Sequence, residues 1–342
     1  MKRIIPLCLA LIMTVGLLAG CGKQNKQTAS NETRLRVVTT IFPEYDWVRE
    51  ILGDKADNAE VTMLLDNGAD LHSYQPTADD IIKISECDLF IYVGGESDDW
   101  VDDALKNAAN KNMKVVNLLE ALGERVKTEE AVEGMQEEEH DHDHDHEDID
   151  EHDDAKEHDH EEEAEYDEHV WLSLKNAQTL CSAISSVLQQ IDPDNKDTYA
   201  ANASAYIKKL SALDADYQAA VDAAACKTVL FGDRFPFRYL AEDYSLRYYA
   251  AFAGCSAESE ASFETISFLA GKVDELNLPC VLTIEGVQHK IAETIVRNTA
   301  AKNQKVLTMD SMQSTTSKDA ANGTTYLSVM ERNLSVLKEA LG

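Results

Sequence analysis

The chain has 342 residues and a formal net charge of -32, with 63 Asp and Glu against 31 Lys and Arg. A negative surface repels phosphate and attracts cations, so the chain is no nucleic-acid binder. The charge is uneven: residues 129–168 carry 23 acidic side chains against Lys156 alone, a net of -22, and the remainder is mildly acidic.

Lys2 and Arg3 precede an apolar run from Ile4 to Leu18, the layout of a secretory signal over residues 1–20. The run is shorter than the roughly 20 residues of a membrane span. It ends Leu18-Ala19-Gly20-Cys21, a pattern similar to the bacterial lipobox, in which the cysteine is lipidated after cleavage. We expect Cys21 to anchor the chain to the outer face of the cell membrane, with a flexible tether over residues 21–34.

Strand-like and helical segments then alternate. Strands are expected at Leu35–Phe42, Glu60–Leu65, Leu89–Val93 and Lys114–Leu119, with helices at Glu44–Leu52, Thr77–Ser85 and Asp98–Ala109. A second series places strands at Thr228–Phe231, Arg247–Phe252, Cys280–Glu285 and Lys305–Met309. Its helices fall at Phe237–Asp243, Phe263–Glu275, Lys290–Ala301 and Thr325–Leu341. Such alternation indicates βαβ units and parallel sheets. Between the series lie helices only: Leu174–Ile191, ended by Asp192-Pro193, and a stretch from about Asn195 to Ala224 without Gly or Pro. The second reads either as an ordinary packed helix or as a stiff connector between two α/β lobes, in which case a ligand cleft lies between them. The expected organisation is an N-terminal lobe over 35–193, a linking helix over 194–225 and a C-terminal lobe over 226–342.

The first lobe carries the acidic insertion. Residues 137–165 hold 18 acidic residues, the seven histidines His140, His142, His144, His146, His152, His158 and His160, and four others. With no apolar face to bury, the segment cannot offset the entropy of ordering. It presents many weak nitrogen and oxygen ligands, and we expect an auxiliary metal-collecting loop.

Three histidines lie elsewhere: His72 in Asp70-Leu71-His72-Ser73-Tyr74-Gln75-Pro76-Thr77, His169 in Asp167-Glu168-His169-Val170-Trp171-Leu172-Ser173, and His289. His72 follows a strand directly, where open α/β sheets bind ligands, and His169 enters through the long loop after another. His289 starts a helix and is expected to take no part, while Phe235, Phe237, Tyr248 and Tyr249 read as core. Cys87, Cys181, Cys226, Cys255 and Cys280 form no CxxC pair, so a thiolate knuckle is not expected.

These runs resemble the solute-binding proteins of zinc and manganese ABC importers, the ZnuA/TroA-like group. That family's loops read like HSY-x-P-T and D-P-H-x-W-L, each with one metal-binding histidine. This chain matches both, with Glu168 in place of the proline. Asp310, ahead of Tyr326-Leu327-Ser328-Val329-Met330-Glu331-Arg332-Asn333-Leu334, matches the family's second-lobe aspartate. Gly254-Cys255-Ser256-Ala257-Glu258-Ser259-Glu260-Ala261-Ser262 is similar to its G-x-S-x-E-x-E-P-S signature. The family's remaining ligand lies in a run like H-D-A-F-G-Y-L. Here Phe231-Gly232-Asp233-Arg234-Phe235-Pro236-Phe237 lacks the histidine, which leaves Asp233, Glu285, or water with Arg234 turned to a carboxylate.

The resemblance implies a monomeric receptor that binds a metal through His72, His169, Asp310 and Asp233 and delivers it to an ABC permease. Zinc takes such a tetrahedral nitrogen and oxygen set, and manganese accepts the same ligands. His-rich insertions accompany zinc uptake within the family, so zinc is the expected cargo. A metal-dependent hydrolase would need an H-E-x-x-H or comparable motif, which is absent. A surface adhesin, a label some relatives of that family carry, is a third reading and would need a defined exposed patch.

Overall fold

Eight strands form two parallel sheets of identical winding in the computed structural model, which describes residues 34–136, 165–256, 260–286 and 289–342. The expected signal, the tether, Cys21 and the insertion's histidines lie outside the described residues. The first sheet has the order β2-β1-β3-β4, from β1 (Leu35–Thr39), β2 (Ala59–Met63), β3 (Leu89–Tyr92) and β4 (Lys114–Asn117). The second has the order β6-β5-β7-β8, from β5 (Thr228–Arg234), β6 (Arg247–Phe252), β7 (Cys280–Thr283) and β8 (Lys305–Thr308). Central strands such as Leu89–Tyr92 and Cys280–Thr283 are apolar along their length because helices cover both faces.

Helices α1 (Phe42–Leu52), α2 (Ala78–Glu86), α3 (Val101–Lys106) and α4 (Leu118–Leu122) belong to the first sheet. Then come α5 (Leu174–Ile191) and α6 (Lys196–Ala223). The second sheet carries α7 (Arg238–Asp243), α8 (Phe263–Leu276), α9 (Lys290–Asn298), α10 (Ser317–Ala321) and α11 (Tyr326–Leu341). Helix α4 was not expected. The Asn117 carboxamide accepts from the Glu120 amide and caps a new helix, so β4 stops there instead of running through Leu119. Strand β5 runs three residues beyond its expected end and takes Asp233 and Arg234 with it.

Helix α6 is 28 residues long, about 42 Å at 1.5 Å per residue. It is a connector and also a packed helix. Tyr199, Ala203, Tyr206, Leu210, Leu213, Tyr217 and Val221 recur every three or four positions and are all buried. This stripe lies along α5 and α1 and then reaches α11, so one helix touches both sheets' surroundings. Leu35–Gly342 accordingly form a single compact unit.

The two halves are also stapled by buried hydrogen bonds. Trp171 Nε1 donates to Ser311 O at 2.9 Å, and Tyr326 Oη donates to Trp171 O at 2.7 Å. The Tyr326 amide donates to Asp46 Oδ2 at 2.9 Å, and its ring packs edge-on against Trp47. Tyr239 Oη donates to Asp167 O at 2.8 Å, two residues from His169. These bonds fix the stretch that carries His169 against the second sheet. Tyr326→Phe keeps the ring but strands the Trp171 carbonyl. It should cost about 1–3 kcal/mol, read as a lower midpoint in urea unfolding; an unchanged midpoint would show that the junction does not depend on this bond.

Candidate metal site

At the carboxyl ends of strands from both sheets lies a cleft of about 970 Å³, lined by His72, Asp233 and Glu285 among the candidates but not by His169 or Asp310. Asp70, His72 and Ser73 line it from the loop after β2, and Asp233 and Arg234 from the end of β5. Ser256 comes from the loop after β6, and Glu285 and Gly286 from the loop after β7.

Local chemistry sets the loop of His72. The Asp70 carboxylate accepts from the His72 amide at 3.1 Å and starts a tight turn over Leu71–Ser73, anchored by the buried Leu71. Thr77 then caps α2. His169 is placed by a turn over Val170–Leu172 that leads into α5, whose first amides are capped by Ser173. The His169 ring is fully buried against Trp171. Gly254 packs directly on it: a Cβ there would lie 3.1 Å from the His169 ring and 3.0 Å from Phe235 O, so a side chain would press on the ring.

The two imidazoles meet, with His72 Nε2 3.3 Å from His169 Nε2. Each is backed on its other nitrogen. His169 Nδ1 lies 3.0 Å from Asp167 Oδ1, and the same oxygen accepts from the His169 amide. His72 Nδ1 lies 2.9 Å from Ser97 Oγ and 3.4 Å from Glu168 Oε2. The ionised Asp167 carboxylate only accepts, so Nδ1 of His169 donates to it and the Nε2 of His169 is left to accept, either from His72 or from a cation. Glu168 stands where the sequence pattern expects proline, and it serves this backing role. Its other oxygen accepts from the Ser97 amide at 2.9 Å. Gly95, at φ +88, makes room, since a Cβ there would strike the Glu168 carboxylate. Burial opposes protonation of His72, but Glu168 and Asp70 outweigh it and the shift is upward.

Among the described residues, His72, His169 and Cys255 are the one group of three or more His, Cys, Asp or Glu side chains with ligand atoms all within 4.8 Å of one another. Cys255, in the loop after β6, has its amide held by Glu129 Oε1 at 2.8 Å. Burial, and then the Glu129 charge, push its thiol well above the ordinary range. The sequence pointed past Cys255 because it has no neighbouring cysteine or histidine. None of the five cysteines among the described residues forms a disulfide.

Asp233 and Asp310 are not in that group. Asp233 lines the cleft, accepts from the Arg234 amide at 2.9 Å, and is raised by burial. Asp310 Oδ1 accepts from the Met312 amide at 2.9 Å, and its Oδ2 lies 3.7 Å from Arg332. Burial raises Asp310, and burial plus the Asp310 charge raise Glu285. Glu285 is engaged by the Ser311 amide at 2.6 Å, Ser311 Oγ at 2.7 Å and the Gln313 amide at 3.1 Å. Arg234 does turn to a carboxylate: its Nη2 meets Asp70 Oδ2 at 2.6 Å. Gln313, oriented with its amide nitrogen toward Asp70, donates to Oδ1 at 2.9 Å. His289 Nδ1 is buried without a partner and stays outside the group.

A sequence family described as "Zinc-uptake complex component A periplasmic" matches residues 37–340. The zinc-binding lipoprotein AdcA of Streptococcus pneumoniae serotype 4 is 32% identical over 339 residues, 99% of this chain and 61% of AdcA. The chain therefore spans about three fifths of that relative. The high-affinity zinc uptake system protein ZnuA of Bacillus subtilis is 31% identical over 327 residues, 95% of this chain and 94% of ZnuA. The crystal structure of the Zn(II)-bound ZnuA-like domain of S. pneumoniae AdcA is 28% identical, with a TM-score of 0.66 over 90% of this chain and 99% of that one. With a match that takes in all eight strands but the first residues of β1, the chain belongs to the zinc-uptake complex component A periplasmic family.

Proposed function

We propose that the chain is an extracytoplasmic receptor that holds one Zn²⁺ at His72 and His169 and delivers it, unchanged, to an ABC-type permease. The facing Nε2 atoms carry the reading. Two nitrogens on a tetrahedral zinc at about 2.0–2.1 Å stand about 3.3–3.4 Å apart, and the observed separation is 3.3 Å. Two ring nitrogens at that distance share a proton or a cation, and displacement of the proton by zinc leaves the spacing unchanged. The carboxylates behind them raise their basicity as ligands and hold them in register.

In this reading the lobes are 35–193 and 226–342, joined by the helix over 194–225, and the second lobe completes the tetrahedron. Asp310 and Asp233 are the carboxylates the sequence pattern nominates, and either would give up its present hydrogen bonds to ligate. Relatives named for zinc favour zinc over manganese as cargo. Cys21 is the proposed lipid anchor to the outer face of the membrane, and the receptor is proposed to act as a monomer. The chemistry supports carriage over hydrolysis, since a buried histidine pair backed by carboxylates orients ligands and offers no free general base.

Chelator competition on the full chain isolates the tight site. His169→Ala should weaken zinc binding 100-fold or more, and Asp167→Asn 10- to 100-fold. Wild-type affinity in His169→Ala would refute the site. Asp310→Ala and Asp233→Ala, read in the same assay, identify the carboxylate that ligates.

Protons compete for His72, whose value is raised. Zinc affinity should therefore begin to fall above the ordinary histidine value near 6.5 and drop at least tenfold from pH 7.5 to 5.5. Glu168→Gln removes the charge that raises His72 and should move the onset to lower pH. An onset that stays in place would separate Glu168 from this role.

The insertion is proposed as a collector of weakly held ions. Its base is closed by the pairing of Thr128 with Tyr166 and by the Glu129 amide on Glu165 O at 2.8 Å. Replacing 137–164 with a short Gly/Ser linker should remove the weak sites in calorimetry and leave one tight site. Loss of the tight site would make the insertion the primary receptor.

A further inference from the structure

We infer that Cys255 supplies a thiolate to the ion held by His72 and His169, making the centre a two-histidine, one-cysteine site. This rests on the metal reading above and adds the ligand class that the second lobe brings.

The placement is specific. Both histidines come from the first sheet's loops, so a cation bound by them alone would leave the second sheet without a stake in the ion. Cys255 comes from the loop after β6 and brings its sulfur within 4.8 Å of both imidazoles. A zinc–sulfur bond of about 2.3 Å puts sulfur about 3.6 Å from a neighbouring ligand nitrogen on a tetrahedron, so the sulfur has at most ~1.2 Å to close. The preceding residue fixes the backbone. Gly254 packs on the His169 ring, and Glu129 holds the Cys255 amide. The nearby carboxylates are otherwise engaged: Asp70 by Arg234 and Gln313, and Glu285 by Ser311 and Gln313. Ligation exchanges the thiol proton for the metal and releases the proton to solvent. A carboxylate or water fills the fourth position.

A thiolate changes selectivity. Soft sulfur favours zinc over manganese, which prefers oxygen, so Cys255 discriminates where two histidines and two carboxylates would not.

The test uses the full chain, reduced and loaded with one equivalent of zinc or cobalt(II). The insertion contains no cysteine, so a sulfur signal cannot come from it. X-ray absorption of wild-type zinc protein should show a sulfur neighbour at about 2.3 Å. The cobalt form should show thiolate-to-metal charge transfer in the near ultraviolet. Cys255→Ser should lose both signals, bind zinc at least tenfold more weakly and lose preference for zinc over manganese, whereas Cys226→Ser should keep all three. Absence of sulfur in the wild-type spectrum overturns the inference without relying on any variant, and so does charge transfer that survives in Cys255→Ser. If His169→Ala still loses the metal in those cases, the receptor reading stands with an oxygen ligand in place of sulfur. Retention of tight zinc by His169→Ala would instead defeat the receptor reading itself.

Discussion

Two imidazole nitrogens from loops far apart in the chain are held 3.3 Å from each other, and the surrounding groups fix that approach. Asp167 and Glu168, adjacent in sequence, back one ring each, although the rings they back lie 97 residues apart in the chain. Glycines 95 and 254 remove the side chains that would push the carboxylate or the ring away. In the proposed role, the two rings are oriented before any ion arrives, so little ordering entropy remains to oppose binding.

That preorganisation depends on the junction between the sheets. His169 is followed by Trp171, whose indole donates to Ser311 and whose carbonyl accepts from Tyr326, so the stretch that carries the ligand is bonded to the second sheet's loops. Arg234 and Asp70 add an ion pair across the cleft beside the site. This pair is partly buried and shielded from bulk solvent, and it neutralises a carboxylate that lies 3.9 Å from His72 Nε2. Without Arg234, Asp70 would be free to compete for the metal or to bind a proton with His72. The long helix α6 supports both sheets' surroundings through one buried stripe, which makes the halves a single compact unit.

The fold was legible because its signals are local. Strand runs alternate with helical periods, Asp192-Pro193 ends α5, and Thr77, Ser173 and Thr325 cap helices. Helix α4 was missed because Leu118 and Leu119 continue the apolar run of β4, and only the Asn117 cap separates the two. The long helix is rich in alanine, whose small side chains mark a buried face weakly, so its packed stripe emerges only when its partners are known.

The sequence by itself determined the class of fold, the two histidine loops and the acidic, histidine-rich insertion, because each is written in neighbouring residues or in spacing along one element. Tertiary structure decided which other groups join the histidines. Cys255 reaches them through the loop after β6, Arg234 finds Asp70 across 164 residues, and Gln313 and Ser311 engage Glu285 and Asp70. Such contacts depend on how two sheets are set against each other. No short-range pattern encodes that, since it results from the packing of α6, Tyr326 and Trp171 as a whole.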